Sequence, residues 1–237
     1  MTIKAVLFDL DGTLLAMEQD EFIKEYLQAL VSHMAPHGYD PETLAKAIWK
    51  GTAAMVKNDG SDINENVFWS VLRSIYPDKD LERDLVLFDR FYAEKFDSVG
   101  EKVSRINPDA IRAVEMIKKK GYNVALATNP LFPTVATEKR IRWAGFEPSD
   151  FSLFTTYENS KFSKPNPEYY RSVAAALGVL PEECLMVGND YIEDMVAEKL
   201  GMKVFLITDH LYNAKDADLS LYPNGSFCDL IDFIENI

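Results

Sequence analysis

The alternation of apolar and polar positions divides the chain into three stretches of different character. The first is short: Val6-Leu7-Phe8 runs straight into Asp9-Leu10-Asp11-Gly12-Thr13. A continuous apolar run closed by turn residues predicts a strand buried on both faces, as in a parallel sheet. From Glu18 to about Arg105 the spacing is helical and no strand is evident. Phe22, Tyr26, Leu30, Val31 and Met34 recur at helical intervals, with Lys and Glu between them. Asp40-Pro41 opens a second helix, Asp as N-cap and Pro at the first helical position, and this helix carries Leu44, Ile48, Trp49 and Met55. Asp59-Gly60 breaks the pattern. Further helical patterns lie at Val67 to Ile75 and Leu81 to Phe96, on either side of Pro77-Asp78.

In the third stretch, from about Val103, helices and strands alternate. Asn107-Pro108 caps a helix that ends in three lysines and Gly121, which together form a strong stop signal. The strand Val124–Ala127 follows and runs into Thr128-Asn129-Pro130. A helix through Ile141 stops at Gly145, and Phe151–Thr155 is expected to be a short strand. Asn166-Pro167 caps a helix ending at Gly178; Leu185–Val187 is a strand, followed by a helix ending at Gly201. Val204–Ile207 is a further strand, and Phe227–Ile234 closes the chain as a helix. Repeated units of this kind build an α/β fold, a parallel sheet with helices on both faces joined by right-handed crossovers. Residues 1–15 and 103–237 are expected to form that core, with 16–102 inserted as a helical bundle over the C-terminal edge of the sheet. The linkers near Leu15 to Glu18 and Val99 to Arg105 would be its hinges.

Composition narrows the function. With 47% hydrophobic residues over 237 positions the chain can build a full core. A formal charge of −13 argues against nucleic-acid binding. A small anionic substrate remains open, because a bound metal and one or two lysines set the local field. Cys184 and Cys228 are too few and too far apart for a disulfide framework and are expected to be free thiols. No apolar run approaches the roughly 20 residues of a membrane span. The first strand starts within about five residues of the N-terminus, too early for a leader. A cytoplasmic protein is the expectation.

The polar residues that stand out all follow a predicted strand or lie in the loop after it. Asp9 and Asp11 follow the first strand, Thr128 and Asn129 the second; Lys164 precedes the Asn166 helix, and Asp190 and Asp194 follow Val187. In a parallel sheet all of these converge on one edge, where open α/β sheets bind their ligands. Two carboxylates ending a buried strand are costly to desolvate without an offsetting positive charge, and a hard divalent cation such as Mg²⁺ suits oxygen ligands.

The stretch Asp9-Leu10-Asp11-Gly12-Thr13 resembles the first motif of the haloacid dehalogenase-like hydrolase superfamily, and the others follow in order. Thr128-Asn129 is similar to the second, Lys164 in Lys-Pro-Asn-Pro to the third, and Gly188 through Asp194 to the fourth. Asn189 stands where Gly-Asp is more usual, although the Asp190-to-Asp194 spacing is kept. The resemblance implies a Rossmann-like core with a helical cap, and a Mg²⁺-dependent phosphatase acting on a small phosphorylated metabolite. Asp9 would be the nucleophile that forms an aspartyl-phosphate, and Asp11 the general acid and base. Asp9, Asp190 and the Asp11 backbone carbonyl would hold the metal. Thr128, Asn129, Lys164 and the backbone near Gly12 would hold the phosphoryl group, with Asp194 behind them orienting a water or Lys164. Haloalkanoate dehalogenases need no general acid, because halide leaves without a proton, so Asp11 points to phosphoryl transfer.

Two alternatives stay open. A sugar-phosphate mutase shares the four motifs but carries a histidine early in the first cap helix, where this chain has Asp20-Glu21-Phe22. A non-catalytic binding module retaining the fold is the other; intact acids at 9, 11 and 190 together with Lys164 count against it. His33 and His37 are spaced to pair at a zinc, but Pro36 and Gly38 break the helix there. The four motifs read only the phosphate, so the substrate must be read by the helical insert. Lys50, Lys57 and Trp69 are candidate contacts, each equally explicable as a solvated or core residue.

Overall fold

The computed structural model describes residues 2–236. In chain order the elements are β1 (Ala5–Phe8), β2 (Leu15–Met17), α1 (Gln19–Met34), α2 (Pro41–Val56), α3 (Asn64–Ile75), α4 (Leu81–Glu94) and α5 (Asp97–Val103). These are followed by β3 (Ser104–Ile106), α6 (Pro108–Lys119), β4 (Asn123–Leu126), α7 (Thr134–Trp143), α8 (Pro167–Ala176), β5 (Cys184–Gly188), β6 (Lys203–Ile207), β7 (Asn224–Gly225) and α9 (Phe227–Glu235). The expected helix starts are built as their caps suggest. Asp40 accepts from Thr43 N, Asn107 from Asp109 N and Ala110 N, and Asn166 from Glu168 N.

Five strands form one parallel sheet in the order β4-β1-β5-β6-β7. Alternate side chains leave its two faces. Val6, Phe8, Val124, Leu126, Leu185 and Val187 join one apolar cluster, with α6, α7, α9 and the helices after β2. Ala5, Leu7, Ala125, Cys184 and Met186 join the other, with Tyr169, Tyr170 and Val173 of α8. Burial on both faces explains why these strands are unbroken apolar runs. With β1 between β4 and β5, the loops after these three strands are neighbours at one edge.

The two linkers of the helical segment are not loose. β2 and β3 pair antiparallel, Ala16 opposite Arg105, so the chain leaves and re-enters the core as one short ribbon. A second tie is polar. The buried Asn64 at the start of α3 donates to Pro130 O and to Ser163 Oγ and accepts from Asn58 Nδ2. It thereby fastens the helices to two loops of the sheet edge. No helix among the described residues is long and apolar enough to cross a membrane.

Two expected elements are altered. Phe151–Thr155 lies along the free edge of β4, with bonds from Ser152 N to Val124 O and from Thr155 N to Leu126 O. It makes only one bridge, Leu126 with Phe154, because a 3₁₀ turn at Pro148–Asp150 precedes it and Thr155 Oγ1 turns to Thr128 O. The helix expected before Gly201 is a 3₁₀ helix over Met195–Leu200. Its would-be first turn is wound by side chains instead: Asp190 accepts from Ile192 N and Glu193 N, and Asp194 accepts from Asp190 N.

Asn64→Ala strands several buried partners at once, so the variant is expected to lose about 2 kcal/mol of stability. Urea unfolding followed by circular dichroism checks it: the midpoint should fall with an unchanged slope.

Candidate active site

The loops after β1, β4 and β5 meet around one ammonium group. Lys164, about 1% exposed, places Nζ 2.7 Å from Asp9 Oδ1 and 2.6 Å from Asp194 Oδ1. Burial works against the charged lysine, but the two carboxylates outweigh it and push its pKa well up. Asp9 itself is driven upward by burial, against the pull of Lys164, with Asp194 and Asp11 adding to the rise. Asp194 spends both oxygens on protein donors, Oδ1 on Lys164 and Oδ2 on Asp190 N at 2.9 Å. That leaves it better placed to hold Lys164 than to bind a ligand directly.

Two glycines let the loops approach this closely. A Cβ at Gly188 would collide with the Asp194 carboxylate. One at Gly12, whose φ is +81°, would collide with the Asn189 amide. Asn189 is built into the site: its Oδ1 accepts from Thr13 Oγ1 at 3.0 Å and its Nδ2 donates to His210 O. The departure from the usual Gly-Asp at this point therefore has a structural use.

A cavity of about 50 Å³ opens at the edge, with Thr128 and Asn129 on one wall. Asp9, Asp11, Asp190, Glu193 and Asp194 also line it, five carboxylates set against Lys164 and, behind Asp11, Arg140. Such an excess of oxygen donors suits a hard cation. Among the described residues no three acidic, histidine or cysteine side chains form a ready metal-binding group. Asp11 Oδ2 is ion-paired to Arg140, and Asp9 Oδ1 to Lys164. Asp9 and Asp190 are left as side-chain ligands, and the Asp11 backbone carbonyl as a third group to offer. Asp190 Oδ1 is already used as a cap.

Asn129 is engaged at both ends. Its Nδ2 donates to Glu193 Oε2 at 2.9 Å and its Oδ1 accepts from Lys164 N at 3.2 Å, so it braces three loops. Thr128 is buried, and its backbone oxygen accepts from Tyr169 OH and Thr155 Oγ1. Lys50 and Lys57, expected as candidate substrate contacts, are both exposed and line neither of the two cavities at this edge. Lys50 lies off the stripe formed by Leu44, Ala47, Ile48 and Met55, and Lys57 ends α2. Trp69 is buried and does face the site, across a larger cavity.

Arg140 and Glu193 are additions that sequence patterning did not supply. Arg140 is buried, pairs with Asp11, donates to Thr137 Oγ1 and lies over the Phe132 ring at 4.4 Å. Its position was nonetheless marked, since Ala136, Thr137, Arg140 and Ile141 share the buried stripe of α7. Asp11 Oδ1 has no partner among the described residues; burial raises the Asp11 pKa while Arg140 opposes the rise. Burial pushes Glu193 up to about 8, Lys164 opposing.

Known proteins are similar to this chain in sequence and in fold. The family model described as haloacid dehalogenase-like hydrolase matches residues 3–201. The chain belongs to that family, as the four motifs imply. It is similar to the pyrophosphatase PpaX of Bacillus velezensis, 26% identical over 201 residues that cover 85% of this chain and 81% of that protein. Its fold is shared by a 2-haloacid dehalogenase from Pseudomonas syringae pv. tomato, with a TM-score of 0.67, 20% identity and 99% of both chains covered. A HAD phosphatase from Thermococcus onnurineus is also alike, with a TM-score of 0.60, 20% identity and 98% of both chains covered.

Lys164→Met would leave Asp9 and Asp194 buried without a counter-charge, and the fold should lose about 3 kcal/mol at neutral pH. In the variant Asp9, already raised by burial, loses the opposing pull of Lys164, so its folded-state pKa is expected to lie further above the unfolded value. The deficit should therefore grow as pH rises and narrow as it falls, which denaturation at several pH values would reveal.

Proposed function

We propose that this protein is a Mg²⁺-dependent phosphatase that hydrolyses a small phosphomonoester in the cytoplasm through an aspartyl-phosphate on Asp9. What supports this most is the pairing at the end of β1: Asp9 on the Lys164 ammonium, and two residues on Asp11, which lines the same cavity and whose buried Oδ1 has no partner among the described residues. The similarity to PpaX points the same way. The fold shared with a dehalogenase does not choose between the two chemistries. Asp11 favours phosphoryl transfer, because an alkoxide leaves only if a proton reaches it.

Residues 16–102 act as the cap in this proposal, closing over the edge and excluding water. Asp9, Asp190 and the Asp11 backbone carbonyl would hold Mg²⁺, which when bound draws off phosphate charge so that two anions can approach. Lys164, Thr128 and the backbone near Gly12 hold the phosphoryl oxygens as charge shifts in the transition state. Asp9 attacks in line and takes the phosphoryl group as the P–O bond to the alcohol breaks. Asp11 gives its proton to the departing oxygen and then takes one from the water that cleaves the acyl phosphate. Arg140 fixes which Asp11 oxygen is free for this, and Asp194 keeps Lys164 aimed at Asp9. The mutase alternative gains no support, because Gln19, Asp20 and Glu21 open α1 without a histidine.

Asp9→Asn is expected to abolish hydrolysis of a generic aryl phosphate while leaving the unfolding midpoint within about 1 kcal/mol of the parent. Asp11→Asn should slow turnover by about a hundredfold or more. EDTA should remove activity and added Mg²⁺ restore it. Retention of Mg²⁺-dependent turnover by Asp9→Asn would show that another residue is the nucleophile.

A further inference from the structure

Between the helical segment and the sheet edge lies a second cavity of about 300 Å³. Asp11, Gln19, Asn129 and Glu193 line both it and the acid-rich pocket, so the two adjoin. A group esterified to a phosphate at Asp9 has this cavity as its place. We propose that the cavity selects a leaving group that is a flat, ring-bearing alcohol without negative charge, with a hydrogen-bond acceptor directed to Trp69 Nε1. This rests on the phosphatase function proposed above and names the substrate class for it.

The walls supply the apolar part. Phe22, Phe68, Trp69, Phe88 and Phe132 face the space. Several contact one another edge-on, Trp69 with Phe88 at 5.2 Å and Phe68 with Trp69 at 5.3 Å between ring centres. Rings in such an arrangement leave faces and edges that receive another ring well. Tyr26 and Tyr92 also line the space, but their hydroxyls bond to each other at 2.9 Å. That end of the cavity is therefore apolar in effect.

Charge supplies the exclusion. Arg140 is the one cation among the lining residues; its Nη atoms are taken by Asp11 and Thr137, its buried Nε–H alone has no partner among the described residues, and its guanidinium is covered by Phe132. Three carboxylates beyond Asp11 stand on the same walls, those of Glu65, Asp89 and Glu193. Burial, with Glu158 nearby, already raises the Glu65 pKa. A carboxylate or second phosphate on the leaving group would be desolvated there with no cation to meet it. Inorganic pyrophosphate and phosphorylated hydroxy acids are thus poor fits, even though the PpaX relatives are named as pyrophosphatases.

Gln19, Thr52, Asn129 and Tyr157 are also on the walls, but the buried indole of Trp69 is the polar group there that points to a ligand. It is 7% exposed, and its Nε1–H, close enough to the Tyr157 hydroxyl to oppose the rise in that phenol's pKa, completes no hydrogen bond among the described residues. A buried N–H is normally paired, so the indole points to an acceptor on the bound molecule.

The test is a steady-state comparison with Mg²⁺ of benzyl phosphate, the isomeric methoxybenzyl phosphates, 4-carboxybenzyl phosphate and inorganic pyrophosphate, with Asp9→Asn as the blank. Benzyl phosphate should exceed both the carboxylate-bearing ester and pyrophosphate in kcat/KM by about a hundredfold or more. At least one methoxy isomer should bind better than benzyl phosphate. Trp69→Phe, which keeps a ring and removes the N–H, should raise that isomer's KM about fivefold more than it raises the KM for benzyl phosphate. Titration calorimetry of the preferred methoxybenzyl alcohol against the parent and Trp69→Phe gives a second readout that needs no turnover, and the variant should bind more weakly. Preference for pyrophosphate or the carboxylate ester, in an enzyme whose turnover Asp9→Asn abolishes, overturns the cavity assignment and leaves the phosphatase standing. So does a Trp69→Phe effect equal for all esters. Turnover of none of these compounds overturns the phosphatase and the leaving-group assignment together.

Discussion

One buried ammonium group between two carboxylates is what the sheet edge depends on. Lys164 reaches Asp9 from one loop and Asp194 from another, at 2.7 and 2.6 Å, in surroundings that exclude solvent. Removing the ammonium would leave both carboxylates desolvated and unmatched, an expensive state for a protein interior. The close packing of the loops follows from that demand. Gly12 and Gly188 are the positions where a side chain would push the loops apart. Asn189, Thr13 and Asn129 supply the hydrogen bonds that fix the loops to one another. The strand order does the rest, because only with β1 between β4 and β5 do these loops share an edge.

The same economy extends to Asp11. It is oriented by Arg140, a residue from α7 on the far side of the site, and that guanidinium is itself packed on Phe132 and aimed by Thr137. Chemistry at the edge and packing in the cavity thus share a residue. The aromatic walls proposed to receive a leaving group include Phe132, which covers the ion pair behind Asp11, so one surface would serve both substrate binding and protection of the site from water.

Most of the core was legible in the chain itself, and for a stated reason: parallel strands buried on both faces have to be apolar runs, and helices ending in positive-φ glycines announce their stops at Gly121, Gly145, Gly178 and Gly201. The caps Asp40, Asn107 and Asn166 were equally direct. What failed was local hydrogen-bond competition. Asp190 and Asp194 turned an expected helix into a 3₁₀ segment, and Thr155 was drawn off an incipient strand. The residues assigned to the family's chemistry gather at one edge, but their partners did not show. Arg140 looks like a helix-surface arginine until the stripe of α7 is drawn, and Lys50 and Lys57 look available until the buried face of α2 is known to lie elsewhere. Long-range pairing leaves only a faint trace in a one-dimensional pattern.

The central claim is that Asp9 carries the phosphoryl group during turnover. Acid quenching of the Mg²⁺-loaded enzyme mid-reaction, followed by peptide mass analysis, tests it most directly. An acid-trapped acyl phosphate on the peptide containing Asp9, absent from Asp9→Asn, is the result expected. Phosphorylation of any other residue, or an unmodified Asp9 peptide under conditions in which the intermediate accumulates, would contradict it.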